Sequence, residues 1–499
     1  MVGRLWSRRA ALAALTTTAL AATSLTGRGR ATADYASRPE QVRGEFLHVW
    51  NAYRRFAWGH DELRPLTGGF SEFFAAGHPV GLSIIEALDT LYVMELDSEL
   101  DTSVAWIEQH LDFGIDADFN VFESIIRLVG GLLAGYLATG NNTLLVRTVD
   151  LADRLLPAFA SPTGMPYSTV NLRTGAVSGN TPALAEIGTN ILEFGTLTRL
   201  TGDRKYLDAA KTAQRAVLAR RSELDLMGTR LNVDTGVWVD TTDRAPNQPS
   251  DSFYEYLWGG WVLFGDHECR DWFHLLDTAL TAHAVETYQG HTWYRQIDYR
   301  TGALLGRRQS ELASFWPEVL GHAGQLPLAR AYYDTWTAML DRFPVLPEEI
   351  DYATGTVTNP GNQFRPEYHN AAFDLYLQTS DPYYANTAWR YFEAMRDHAR
   401  VRNGYTVVDD VTSTPVRLGD LFPAYGFAEN FKYLYLMFAT TPRFDRTDFY
   451  LSTEGKILHG LRQLATLAPP RQADCLSTPG PQIPSITPPQ QNSVPNHQT

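Results

Sequence analysis

The segment "NILEFGTLTRLTGDRKYL" (190–207) decides the fold. From Asn190 to Leu200 it is apolar almost all round; Thr201-Gly202-Asp203 then interrupts it, and a second helical stretch follows. Glycine stops a helix, and threonine or aspartate caps the next, so the segment reads as helix, tight turn, helix. The same punctuation recurs at Leu96-Asp97, Thr139-Gly140-Asn141, Gly265-Asp266, Gly321-His322, Thr379-Ser380-Asp381 and Thr440-Thr441-Pro442. That predicts seven αα-hairpins between about Gly44 and Leu467.

A second signal lies between the hairpins. "VNLRTGAV", "LNVDTGVWV", "IDYRTGALL" and "IDYATGTVT" are β-like runs folded at a Thr-Gly turn, with Gly175, Gly236, Gly302 and Gly355 supplying the positive φ of the turn. The repeat unit is therefore roughly 60 residues: helix, turn, helix, β-hairpin. Stacked helix pairs form an open solenoid or close into a ring. Closure is favoured because the first helix of many pairs ("GGLLAGYL", "NFKYLYLMF") is apolar on every side, as an inner helix must be. The β-hairpins also recur on one side only. The predicted fold is all-α, an (α/α)7 barrel over residues 34–466 with β-hairpin loops on one face.

Both ends lie outside that barrel. Ser7-Arg8-Arg9, an apolar run from Ala10 to Leu25 and Ala31-Thr32-Ala33 read as an export signal over 1–33, of the twin-arginine type. The mature chain is then expected to start near Asp34, exported to the cell exterior or periplasm. No later segment is read as apolar enough to span a bilayer, so no integral membrane association is expected. Residues 467–499 are rich in Pro, Gln and Ser and read as a disordered tail. That tail holds Cys475, which could pair with Cys269 in an oxidising compartment.

Composition removes several functions. The 499 residues carry 42 Lys+Arg against 56 Asp+Glu, a net charge of −14, which argues against nucleic acid and anionic membrane as partners. Two cysteines exclude a Cys-rich zinc site. Sixty aromatic residues, among them 12 Trp, suit sugar rings but also fill large helical cores. Trp258 and Trp316 are the candidates for a pocket rim. His78, His110 and His369 show no metal-ligand spacing and read as structural or surface residues; Asp89 reads as a helix–helix or capping partner.

An acid recurs near the start of the first helix of each pair: Glu86, Glu123, Glu186, Asp251, Glu311, Glu367 and Glu429, with Glu454 after the seventh. One such acid only complements a helix dipole. Seven or eight in register would ring one central pocket, and like charges so close require a cation, shared protons or a hydroxyl-rich ligand. A hard cation with oxygen ligands, Ca²⁺, is the expected cofactor. Carboxylates on opposite walls with room for water between them are the layout for inverting glycoside hydrolysis.

"GLSIIEALDTLYVMEL" (81–96), "FNVFESIIRLVGGLLAGYLATG" (119–140), "SDSFYEYLWGGW" (250–261), "FRPEYHNAAFDLYLQTSD" (364–381) and "AENFKYLYLMF" (428–438) resemble glycoside hydrolase family 47, the class I α-1,2-mannosidases. "GMPYSTVNLRTG", "LASFWPEVL" and "YLSTEGKIL" look more like its ER degradation-enhancing branch. The resemblance spans about residues 40–460 and implies inverting, Ca²⁺-dependent removal of terminal α-1,2-linked mannose from mannan or high-mannose glycans; the chain is expected to act as a monomer. It implies Glu123 as general acid, Glu367 as general base and Asp251 as a third catalytic carboxylate. Arg127, Glu186, Arg365, Tyr425, Glu429 and Glu454 would hold the sugar, and Thr453 would ligate Ca²⁺ through its carbonyl and hydroxyl oxygens. On this reading Glu123 is held protonated by burial or by a neighbour such as Asp251, while the cation keeps Glu367 ionised.

The sequence departs from the processing mannosidases at Pro249, Glu311, Glu318, Asn370, Pro423 and Tyr425, and Ser314 replaces a half of their disulfide. The competing readings are a mannose-binding lectin on the same barrel and a helical scaffold that binds protein. A terpene-cyclase-type toroid would need an Asp-rich motif, and "VVDD" (407–410) lies in a β-like loop.

Overall fold

The computed structural model describes residues 25–463. The paired arginines, Cys475 and the whole Pro-rich tail, 467–499, lie outside the described residues. The boundary expected near Asp34 falls within the first helix, Leu25–Phe56.

Seven inner helices line the ring: 82–93, 121–139, 184–201, Asp251–Phe264, 311–322, Glu367–Thr379 and 425–438. Each packs on the next, and 430–438 returns to 88–93 to close the circle. Seven outer helices surround them: Leu25–Phe56, Asp97–His110, Asn142–Leu155, Lys205–Leu218, His267–His283, Leu326–Met339 and Pro382–Ala399. This is an (α/α)7 barrel. The two layers differ as their surroundings require. The outer helix Asn142–Leu155 buries Leu144, Thr148, Leu151, Ala152 and Leu155, a single stripe, whereas the inner helix Gly130–Thr139 is buried almost all round. At the inner-to-outer turns, Gly140, Gly202 and Gly265 end their helices at positive φ, while Asn141, Asp266 and Asp381 accept backbone N–H groups of the helix that follows.

Two expectations need correction. The seventh pair is not built at Thr440-Thr441-Pro442. The helix 425–438 instead pairs with Leu25–Phe56, so the first helix among the described residues is the seventh outer helix. A chain that closes a ring must join its two ends, and local turn chemistry cannot report that contact. Second, Val121–Thr139 is long and apolar enough by composition to cross a membrane. It is an inner helix, and its apolarity is that of a side-chain layer packed on neighbours in every direction.

The four Thr-Gly hairpins form as expected: Thr169–Asn171 with Val177–Ser178, Arg230–Asn232 with Val237–Asp240, Gln296–Asp298 with Leu304–Gly306, and Glu349–Asp351 with Thr356–Asn359. Their turns are one motif used four times. Asn171, Asn232, Asp298 and Asp351 each accept two backbone N–H groups through Oδ1, and the glycine four residues on has φ between 68° and 73°. Each hairpin joins an outer helix to the next inner one, so all four stand at the end of the barrel where the inner helices begin.

After Phe438 the chain enters the ring. The hairpin Tyr450–Leu451 with Ile457–His459 packs against the inner helices 130–139, 191–201 and 251–264 and plugs the middle of the barrel. Two buried ion pairs hold it. Lys432 Nζ donates to Asp89 Oδ2 at 2.7 Å and to the Gly455 carbonyl at 2.6 Å, while Asp89 also accepts from Ile457 N at 2.9 Å. Lys456 pairs with Glu86. Asp89 thus bridges two inner helices and the plug.

Candidate active site

The turn of the plug, Ser452 to Gly455, ends beneath a cavity of about 330 Å³ at the hairpin end of the barrel. Glu123, Glu186, Asp251, Glu367 and Glu429 reach it from five different inner helices, and Thr453 and Glu454 from the plug; Arg127, Arg365 and Tyr425 complete the wall. The three expected catalytic carboxylates, the six expected sugar-holding residues and Thr453 therefore all line one cavity.

Asn120 caps its helix by accepting Glu123 N–H at 2.9 Å, which fixes the start of the helix carrying Glu123. A π-helical turn, Ser124–Val129, follows at once. Such wide turns collect at functional sites. Arg127 lies within it. Its Nε donates to Glu123 Oε2 at 2.6 Å, and its Nη1 donates to Glu454 Oε2 at 2.7 Å and to Glu86 Oε1 at 3.4 Å. Burial works against its charge, but these three carboxylates hold the guanidinium protonated. The Glu123 side chain is about 25% exposed, so burial alone does not enclose it.

Asp251 and Glu367 each occupy the first position of an inner helix. Burial pushes the Asp251 carboxyl up to about 6, against the pull of Ser252 N–H and Arg365. Burial also raises Glu367 to about 7, against the pull of Arg365. Arg365 is itself held by a bidentate contact with Glu348, Nε to Oε1 at 3.0 Å and Nη2 to Oε2 at 3.1 Å. Tyr425 donates to the Gln363 carbonyl, and its ring lies under the Arg127 and Arg365 guanidinium groups. Glu186 accepts Ala183 N–H at 2.6 Å, the glutamate of a helix-start capping arrangement, so its cavity position coincides with a structural role.

Below the main cavity lies a chamber of about 30 Å³, lined by Asp251, Glu255, Glu367, Asn370, Glu429 and Thr453. Glu255 Oε2 and Glu367 Oε2 are buried there without hydrogen-bond partners. Burial, together with Glu318, raises Glu255 well above the usual carboxylate range; burial and Glu454 do the same for Glu429. Leu312 and Phe315 form the apolar part of its wall, and the rest offers four carboxylates, an amide and two hydroxyls; with two carboxylate oxygens lacking donors, the polar part has the donor chemistry of a hard-cation site.

Several readings do not hold at the cavity. Glu311 faces the outer layer, accepting from Tyr391 at 2.9 Å and Asn362 at 2.9 Å, because its helix opens with a 3₁₀ turn, Glu311–Phe315. Glu86 lies deeper, on Lys456 and Arg127. Trp258 and Trp316 are core residues rather than rim residues; Trp316 Nε1 donates to Tyr294 at 3.0 Å. His369 is a structural residue as expected, buried with Nε2 3.2 Å from the Ala388 carbonyl; Cys269 is buried too, and its possible partner Cys475 lies outside the described residues. Glu255 and Glu348 were not anticipated. Glu255 had a signal, since it stands one helical turn after Asp251 on the same face.

A closed double ring of helices, with one acidic cavity fed from most of its inner helices, defines the class as an (α/α)7 toroid with a central acidic pocket. The comparisons make the class specific. The model of glycosyl hydrolase family 47 matches residues 45–460, and the chain belongs to that family. It is 32% identical over 426 residues to Alpha-mannosidase I MNS5 of Arabidopsis thaliana, covering 80% of this chain and 73% of that protein. It is 31% identical over 433 residues to the human mannosyl-oligosaccharide 1,2-alpha-mannosidase IB, covering 81% and 67%. Among solved structures it is similar to an alpha-1,2-mannosidase from Trichoderma reesei, with TM-score 0.78 and 25% identity over 85% of this chain and 99% of that one.

Proposed function

We propose that the protein is an exo-acting, inverting α-1,2-mannosidase that removes terminal mannose from mannan or high-mannose glycans and depends on Ca²⁺. The observation that carries this reading is the convergence of Glu123, Asp251 and Glu367, from three inner helices, on one cavity above an oxygen-lined chamber.

In the proposed reaction Glu123 gives a proton to the glycosidic oxygen as its bond to C1 breaks. Water attacks C1 from the opposite face and passes a proton to Glu367. Arg127 and Arg365 orient the two carboxylates and the sugar, and Asp251 shapes the charge between them. Thr453, with the carboxylates of Glu255 and Glu429 nearby, would hold Ca²⁺. When bound, the ion supplies positive charge that favours ionised Glu367 and oxygen coordination that suits vicinal sugar hydroxyls. A single chain completes the cavity, which supports action as a monomer. A closed-ended cavity of this size suits a chain end rather than a chain interior, which supports the exo mode.

Incubation of the purified protein with α-1,2-mannobiose tests the reading. Release of mannose that stops in EDTA and returns with Ca²⁺ is expected. Retention of full activity by protein verified to be metal-free would remove the cation from the account. Binding without turnover would favour a lectin.

We also infer export. The support is the sequence Ser7-Arg8-Arg9 with the apolar run and Ala31-Thr32-Ala33. N-terminal sequencing of the protein from culture medium or periplasm is expected to begin near Asp34; intact residues 1–33 would contradict it.

A further inference from the structure

We propose that Glu318, His322 and Asp374 form a second cation site, for a divalent first-row transition ion of the Zn²⁺ class, on the side of the oxygen chamber away from the sugar cavity. Glu318 and His322 are four residues apart on one inner helix, Trp316–His322, and so share a face. Asp374 comes from the adjacent inner helix, Glu367–Thr379. One ligand atom from each of the three lies within 4.8 Å of the others. His322 Nε2 is 2.9 Å from Asp374 Oδ1 and 3.7 Å from Glu318 Oε1. Zinc bonds of ~2.0–2.2 Å in a tetrahedron set ligand–ligand edges of about 3.3–3.6 Å, which those two separations bracket.

Two further observations point to a ligand rather than to a plain ion pair. The carboxylates are the buried members, with Glu318 and Asp374 side chains 7% and 5% exposed, and Glu318 Oε1 has its nearest cationic neighbour beyond hydrogen-bonding distance. In addition, His322 lines a separate cavity of about 420 Å³ with Gln378, Arg446 and Asp448, at the end where the inner helices finish. An ion could enter there, and water could fill the position that three protein ligands leave open. The imidazole selects a borderline ion over Ca²⁺. Asn370 separates the two sites: it lines the oxygen chamber and donates to Glu318 Oε2 at 3.4 Å. The ion would tie two adjacent inner helices together beyond the oxygen chamber.

The test is a titration of the full-length, Ca²⁺-saturated protein with Co²⁺, read by visible d–d absorption and by melting temperature. The wild type is expected to bind one Co²⁺ with a ligand-field spectrum and a higher melting temperature. His322→Gln, which keeps a side chain able to hydrogen-bond Asp374, is expected to weaken binding by about 100-fold or more, beyond the ~10–100-fold typical of outer-shell changes. Asp374→Asn serves as the second variant should the first fold poorly. No Co²⁺ spectrum in the wild type, or equal affinity in a folded variant, would overturn the proposal.

Discussion

Arg127 and Glu454 meet at 2.7 Å, which joins the inner helix that carries Glu123 to the hairpin that carries Thr453. The proposed acid and the proposed cation ligand therefore sit on one buried charge network rather than on two independent elements. Removing Arg127 would leave Glu123, Glu454 and Glu86 facing one another. Arg127→Ala is expected to destabilise the protein by about 3–5 kcal/mol, the range for breaking one side of a buried pair, and to abolish activity. Arg127→Lys, which cannot donate to Glu123 and Glu454 in the same fork geometry, should also be severely impaired. Urea unfolding and mannose release measure the two effects; an alanine variant with wild-type stability would contradict the network.

The plug is wedged as well as charged. A Cβ on Gly259 would stand 2.7 Å from Tyr450 Oη and 2.8 Å from Leu192 Cδ2. Gly259→Ala should therefore destabilise by about 1–3 kcal/mol through overpacking and shift the hairpin that presents Thr453. The expected signature is a loss of Ca²⁺ affinity larger than the same stability loss produces when placed in an outer helix. Equal Ca²⁺ affinity in both variants would show that the plug does not depend on this contact.

Much of this arrangement was legible in the sequence, for a physical reason. A glycine at positive φ, an Asn or Asp four residues before it, and an acid at a helix start are local features, and Gly175, Asn171 and Asp251 carry them whatever lies elsewhere. Ring closure is not local. Thr441 has the chemistry of a helix cap but no helix follows it, and the partner of the seventh inner helix, Leu25–Phe56, comes from the N-terminal part of the chain. Register was also not enough for Glu311: it recurs in step with the other acids, yet a 3₁₀ turn aims it at Tyr391. Glu255 escaped notice because an acid inside an apolar helix carries no end-of-helix signal.

The acidic site predicts how stability responds to pH. Burial raises Asp251 to about 6 and Glu367 to about 7, and it raises to about 8 the carboxyl of Glu193, which is buried on the inner helix Ile191–Thr201 and accepts from Tyr256 at 2.7 Å; all three titrate near 4 in the unfolded chain. Between about pH 4 and pH 8 the metal-free native state thus holds protons that the unfolded state has lost. Its stability contribution from these groups is full below the unfolded values and falls as pH rises through the folded ones. The melting temperature of chelated protein should drop between pH 5 and pH 8, and Ca²⁺ should lessen the drop. A chelated protein that becomes more stable over this window would contradict the buried, protonated carboxylates.

Glu367→Gln keeps the volume of the proposed base and removes its basicity. It is expected to lower kcat by several orders of magnitude while mannose binding remains measurable by calorimetry. Glu123→Gln should lose least with substrates whose leaving groups need little protonation. A Glu367→Gln variant with near wild-type kcat would assign the base elsewhere, with Asp251 the next candidate in the same cavity.

The most direct measurement is the anomeric form of the first mannose released from α-1,2-mannobiose, followed by time-resolved proton NMR before mutarotation. Glu123 and Glu367 belong to inner helices three units apart around a ring of seven, facing each other across one cavity. Inverting pairs stand ~6.5–9.5 Å apart with water between them, against ~5–5.5 Å for a nucleophile pair. The account predicts β-mannose as the first product. α-Mannose appearing first would mean that these two carboxylates do not act on opposite faces of the sugar.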